Sequence, residues 1–278
     1  MKINRSIAKV IAAAAVTGLV PVAAACTPMP AGAGTVAADS ALKHVLAAGT
    51  VKVATCLTFT PFGFTNEKGQ PDGYDVDIAK ELAEDMGVEL EIVDTTSSNR
   101  IPNLQTNKVD VVFCNFTRTL ERAKEIAFTD PYVVATQALL VRSGSGITSL
   151  ESMKGRAVAV VKGSTNADVL RERGVDVKAA EFDSSQAAVL AVKQGQADAM
   201  IEDSNYLQYQ AKLNPGLEVV TSNLVPLEYN AFGVKQGDQV WLDYLNQFLF
   251  QLNTSGKNHE LYRKWFGADP RFPLRPAF

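Results

Sequence analysis

Histidine is nearly absent from this 278-residue chain: only His44 and His259 occur, alongside three cysteines and two tryptophans. Cys26, Cys56 and Cys114 are too far apart to resemble the ligand spacing of a metal site. The chain has no G-x-S-x-G, no P-loop, no G-x-G-x-x-G after a strand and no H-E-x-x-H. No nucleophile–base pair is visible, so catalysis is the minor reading and no cofactor or metal is expected. A basic excess is missing too, since 27 Lys and Arg stand against 30 Asp and Glu. Nucleic-acid-binding chains are normally basic, so that class is disfavoured. With 46% hydrophobic and 21% charged residues, disorder and collagen-like fibres are excluded, and the length suits one large domain or two small ones.

What is present begins with an export pattern. Lys2, Arg5 and Lys9 precede the apolar run 10–22, and the small residues 23–25 follow, so 1–25 reads as a secretory signal peptide. Those three cations are among the 27 basic residues, so removing the segment leaves 24 against 30 acids. No other run reaches the roughly 18 apolar residues of a membrane span. Ala23-Ala24-Ala25-Cys26 resembles the bacterial lipobox, although Leu is commoner where Ala23 stands. That resemblance implies a lipid on Cys26 and attachment to a membrane, with 26–39, rich in Ala, Gly and Pro, as the tether; ordinary cleavage nearby is the alternative. An exported chain can join Cys56 to Cys114, or keep them as two small buried thiols.

From Leu42 onward short β-branched runs alternate with helical segments, the pattern of an α/β fold with largely parallel sheets. Strands are expected at 51–55, 88–93 and 109–113. Helices are expected from Asp75 to Gly87, from Ser98 with Pro102 in the first turn, and near 120–126. A second series gives strands at 156–161, 177–182 and 197–201, with helices at 165–173 and 184–194. Two similar α/β lobes result. Extended stretches at 137–142 and 229–234 are candidate hinge strands, and helices at 239–252 and 259–266 precede an extended end.

Ligands of open α/β sheets bind beyond the carboxyl ends of the strands. Those junctions carry Cys56, Thr58, Phe59 and Phe64; then Ser97, Ser98, Asn99 and Arg100; then Asn115, Thr117, Arg118 and Arg122. In the second lobe they carry Gly163, Ser164 and Thr165, then Glu202 and Asp203. This mixture suits a free L-amino acid held between two lobes. Arg122 and the Ser164-Thr165 turn offer donors for an α-carboxylate, Asp203 with Asn115 and Thr117 offers acceptors for an α-ammonium, and Phe59 offers an apolar face. Each has a plainer reading: Arg122 as part of a solvated charge run, Asp203 as a helix cap, Arg100 as a surface arginine, Phe59 and Phe64 as core.

The same residues carry a resemblance. Gly73-Tyr74-Asp75-Val76-Asp77-Ile78 followed by Ala83 and Met86, then Pro61-Phe62, Thr119-Leu120-Glu121-Arg122, Phe128-Thr129-Asp130-Pro131-Tyr132, Leu150-Lys154-Gly155 and Lys264-Trp265-Phe266-Gly267, resemble family 3 of the bacterial solute-binding proteins. The resemblance implies a two-lobe periplasmic binding protein (Venus-flytrap) fold of type II. Residues 40–137 and 232–278 would form one lobe, 138–231 the other, with two hinge strands. It implies a monomer that delivers its amino acid to the permease subunits of an ABC importer. Arg122 would grip the carboxylate, Thr117 and Thr165 would add hydrogen bonds, Asp203 would take the ammonium and Phe59 would wall the ligand. The stretch Ser97-Ser98-Asn99-Arg100-Ile101-Pro102 resembles the glutamate and aspartate binders, in which the residue matching Arg100 reaches the side-chain carboxylate. Cys56, where some relatives carry another arginine, and Arg118 depart from that pattern. Cyclohexadienyl dehydratases resemble the family too, but they carry a glutamate where Tyr206 stands here, and a tyrosine is a poor acid at neutral pH.

Overall fold

The computed structural model describes residues 40–220, 224 and 226–274. The expected signal peptide, Cys26, the tether and the last residues of the extended tail lie outside the described residues. No described helix is long and apolar enough to cross a membrane.

Two five-stranded sheets organise the molecule. The first joins β1 (Thr50–Thr55), β5 (Glu89–Asp94), β6 (Val111–Thr117), β7 (Ile126–Ala135) and β13 (Glu228–Lys235) in the order β5-β1-β6-β13-β7. The second joins β8 (Gln137–Arg142), β9 (Ala157–Val161), β10 (Lys178–Phe182), β11 (Ala199–Asp203) and β12 (Leu217–Val220) in the order β10-β9-β11-β8-β12. Each sheet has three parallel strands continued by two antiparallel ones. A small antiparallel sheet of β2 (Thr58–Phe59), β3 (Gly63–Thr65) and β4 (Pro71–Asp72) follows β1.

The helices are α1 (Ala41–Ala48), α2 (Tyr74–Met86), α3 (Arg100–Gln105), α4 (Asn166–Glu172), α5 (Ser185–Lys193), α6 (Ser204–Leu213), α7 (Gln239–Thr254) and α8 (Lys257–Phe266). Their apolar faces cover the sheets, as Ile78, Ala79, Leu82 and Ala83 of α2 and Trp241, Leu245, Phe248 and Leu249 of α7 do in the first lobe.

Two expectations fail locally. The helix expected near 120–126 is one 3-10 turn at Arg122–Lys124, because the chain immediately enters β7. Ser98 does not cap α3: it lies in a 3-10 turn, Ser97–Asn99, and its hydroxyl meets that of Thr96. The chain crosses between sheets at Thr136 and again between Val220 and Glu228. The expected boundary at 231/232 falls inside β13, which pairs with first-lobe strands from Glu228 onward. The stretch 229–234 lies within β13 of the first sheet, and the second crossing ends where that strand begins.

Three of the segments quoted from the sequence form one joint: Pro61-Phe62, the start of α2 and the end of α8. The N-terminus of α2 has orphan N–H groups, and those of Tyr74 and Asp75 donate to the carbonyls of Pro61 and Phe62 at 2.9 and 2.8 Å. Gly73 sits at φ 126°, where a Cβ would collide with the Phe62 carbonyl, so only glycine fits. On the same helix Asp77 accepts from Lys264 (2.5 Å), Trp265 (2.8 Å) and Lys80 (2.9 Å), which fastens α8 to the first lobe. Phe266 packs edge-on against Phe62 and Tyr74.

Candidate functional site

The carboxyl ends of β1, β5 and β6 face those of β9, β10 and β11 across a cleft between the lobes. Its lining contains Phe59, Arg100, Asn115, Thr117, Arg122, Thr165 and Asp203, together with Cys56, Ser97 and Ser164. Phe64 and Arg118 are elsewhere. Phe64 lies on β3 with its ring edge-on to Trp265, and Arg118 is exposed, its backbone N–H donating to Tyr229. Strand alternation explains the latter, since Thr117 faces inward and its neighbour must face out.

The floor is covalently closed. Cys56 and Cys114 form a disulfide joining the end of β1 to β6, with their Cα atoms 5.2 Å apart.

The acidic end of the cleft is a tight network. Asn115 Nδ2 donates to Asp203 Oδ2 at 2.8 Å across the lobes, while Asn230 Nδ2 donates to the same oxygen at 2.9 Å and to Asn115 Oδ1 at 2.6 Å. Burial raises the Asp203 carboxyl above its usual range, against the lowering effect of the Asn115 and Asn230 amides. Glu202 lines the cleft beside it and is 6% exposed. Burial and then the charge of Asp203 push it up as well. Glu228, at the start of β13, accepts from Thr165 Oγ1 (3.1 Å) and from Gln137 Nε2, and burial followed by the charge of Asp203 raises it too.

The basic end contains two guanidiniums over the ring of Phe116, at 4.1 Å for Arg100 and 5.1 Å for Arg122. They differ in what they have left to give. Arg100, 3% exposed, donates from Nε to Ser97 O, from Nη1 to Cys114 O and Asn115 O, and from Nη2 to Gly163 O. Four of its five N–H groups therefore serve backbone carbonyls. Among the described residues the Arg122 guanidinium donates to Thr117 O (2.8 Å) and Gly163 O (2.9 Å) alone, leaving three N–H groups for an anion. Among the described residues all these acceptors are neutral, and burial lowers both pKa values.

Direct contacts hold the lobes together around the cleft. Phe59 stacks on Tyr206 with ring centroids 4.1 Å apart and planes 6° from parallel. Gln210 Nε2 donates to Thr60 O at 2.8 Å. Gly163, at φ 77°, comes so close to Ser98 that a Cβ would lie 2.6 Å from its Cα. Ser164 directs its hydroxyl to Val161 O, within its own turn.

Sequence reading passed over Gln137, Glu228 and Asn230, which flank the chain crossings, and it assigned no part to Gly163, Tyr206 or Glu202. Gly163 and Glu202, both at junctions beyond strand ends, carry a local signal.

Known proteins agree with this architecture. The profile of "Bacterial extracellular solute-binding proteins, family 3" matches residues 51–268. The glutamine-binding protein of a Bacillus subtilis (strain 168) ABC transporter is 36% identical over 214 residues, covering 75% of this chain and 78% of that protein. The crystal structure of an ancestral amino-acid-binding protein, described as a precursor of cyclohexadienyl dehydratase, superposes with a TM-score of 0.77 at 37% identity, over 82% of this chain and 100% of its own. An ancestral arginine-binding protein bound to glutamine does so with a TM-score of 0.75 at 36% identity, over 79% and 99%. A family profile spanning nearly all the described residues, two sheets of matching order and a cleft between them place the chain in family 3 of the bacterial extracellular solute-binding proteins, with their type II two-lobe fold.

Proposed function

We propose that this protein is the extracytoplasmic receptor of an ABC importer, and that it closes on a free L-amino acid whose side chain donates hydrogen bonds, an amide or a cation. The observation that carries the reading is the division of charge in one cleft. Arg122 has three unoccupied N–H groups at one end, and Asp203 is held by two amides at the other. An α-carboxylate and an α-ammonium fit those ends.

The side-chain class follows from the remaining charges. Arg100 is the residue the sequence offers to the carboxylate of glutamate or aspartate, but four of its five N–H groups are occupied by Ser97, Cys114, Asn115 and Gly163. Glu202 lines the same cleft, with Asp183 and the hydroxyls of Ser184 and Ser185 nearby. A donor or cation beside this buried acid lets it ionise, whereas a second carboxylate is tolerated only while it keeps its proton. The glutamine and arginine named for the relatives are of this class.

A dehydratase reading is weaker, since Tyr206 is a stacked wall whose hydroxyl burial pushes well above the usual range, leaving it a poorer acid still. The basic, apolar and small-residue pattern of 1–25 and the lipobox-like end at Cys26 support export and tethering, with the permease as partner.

A thermal-shift screen of the chain beginning after Cys26, unfolded and refolded to remove carried ligand, tests this against the common amino acids, arogenate and prephenate. A ligand at about 100 times its Kd adds about 2.7 kcal/mol of stability. Shifts from glutamine, arginine or another donor side chain are expected. A shift from glutamate or aspartate alone restores the acidic reading, and a shift from arogenate or prephenate alone reopens the enzyme.

A further inference from the structure

We propose that Tyr132, oriented by Asp75, is a positioning residue for the ligand's α-ammonium group and acts through Asn115. The inference rests on the reading of the ligand as a free α-amino acid. It starts from an irregularity in β6. Opposite β13, Phe116 pairs with Ala231 and Val112 with Gly233, so residues 113–115 face the single residue Phe232. This bulge takes Asn115 to φ 43°, a left-handed conformation that non-glycine residues adopt at a cost and that asparagine tolerates best.

A bulge removes backbone groups from the ladder, and buried ones must find other partners. Here side chains supply them. The N–H of Asn115 donates to the Tyr132 hydroxyl at 3.2 Å, and the carbonyls of Cys114 and Asn115 accept from Arg100. The Tyr132 hydroxyl has one proton, which it gives to Asp75 Oδ1 at 2.8 Å, so a lone pair faces Asn115. Burial raises the Tyr132 pKa well above its usual range, which keeps that proton in place. Its own carbonyl is held by Asn258 Nδ2 at 2.9 Å, and its ring by Tyr74 and Phe232.

Asn115 is thereby fixed from behind while its amide meets Asp203 in front. Asp75 and Tyr132 are each 1% exposed and lie outside the cleft lining, so neither touches the ligand. Without the hydroxyl, the Asn115 N–H loses its well-formed acceptor and has only the Asp75 carboxyl behind it to turn to, so the bulge relaxes towards Asp75 and Asn115 and Asp203 lose their registration.

The test is calorimetric titration of the refolded protein with L-glutamine and with L-arginine. Tyr132→Phe is expected to weaken binding about tenfold, the effect of one buried donor losing its well-formed acceptor. Asp75→Ala, which leaves the hydroxyl but removes its orienting acceptor, is expected to act in the same direction, by about threefold. The decisive readout is a cycle with Asn115→Gly, since glycine adopts φ 43° freely and carries no amide. A positioning role predicts that Tyr132→Phe has less than a twofold effect in that background. The same loss in both backgrounds, or wild-type affinity in Tyr132→Phe, overturns the inference; if Tyr132→Phe fails to fold, the Asp75→Ala cycle decides by the same criteria. If neither amino acid binds the wild-type protein, the functional reading has failed instead, and the two failures are separate.

Discussion

Gly163 carries three roles on one residue without a side chain. It ends the turn after β9 at positive φ, it lets the second lobe approach Ser98, and its carbonyl accepts from both Arg100 and Arg122. A methyl group added there meets backbone, which cannot swing aside. Gly163→Ala is therefore expected to penalise the closed arrangement far more than an open one, by about 1–3 kcal/mol. Calorimetry should show at least a tenfold rise in Kd, in addition to the loss of about 1 kcal/mol of stability that an alanine at φ 77° imposes on the open and closed arrangements alike. Unchanged affinity would mean that closure does not need this contact. The difference between the two arginines belongs to the same scale. Both looked like anion receptors in the sequence, because a local pattern shows that a guanidinium is near a strand end but not which carbonyls it will meet. Arg100 meets four, three of them more than ten residues away in the chain.

At the scale of elements, α2 shows how a short motif holds distant segments. Asp77 accepts from Lys264, Lys80 and Trp265, and these bonds prevail over burial to hold its carboxyl below the usual range. A carboxylate with a depressed pKa contributes its full stability above its unfolded value of about 3.9 and loses it as the pH falls through the folded value. Asp77→Ala is expected to cost about 1–2 kcal/mol at pH 7. The gap between mutant and wild-type melting temperatures should close as the pH is lowered below 4; a gap that persists would place the effect in packing. Elements also mark where the sequence was legible. The βα units could be read because each is local: an apolar strand, a polar junction and an amphipathic helix. The ligand-facing junction residues came with them. Asp75, Tyr132, Gln137, Glu228 and Asn230 could not be read this way, because long antiparallel strands and the two chain crossings bring them together. The tyrosine of Phe128-Thr129-Asp130-Pro131-Tyr132 has no local feature that points towards Asn115.

On the scale of the whole molecule, closure assembles an excess of buried acid. Burial first, and mutual repulsion second, raise Glu202 and Glu228 to about 8, and Asp203 is raised alongside them. An acid raised on folding contributes stability that is complete below its unfolded pKa of about 4.3 and is lost as the pH rises towards the folded value. Closure without ligand should therefore become less favourable between pH 5 and pH 8, which small-angle scattering would register as a rise in the radius of gyration. A ligand that brings donors or positive charge to Glu202 lowers that pKa and expels a proton, whereas an acidic ligand draws one in. Titrations in buffers of different ionisation enthalpy distinguish the two: proton release is expected, and uptake would reverse the proposed side-chain class.

The disulfide between Cys56 and Cys114 ties the floor on which Phe59, Arg100 and Asn115 are arranged, and bonds of this kind persist in oxidising compartments. Under the export proposed above, synthesis of this floor and its fastening are separated in space. Thiols stay open in a reducing cytoplasm, and an oxidising compartment beyond the membrane joins them. The bond is then a postmark, set on the chain at its address.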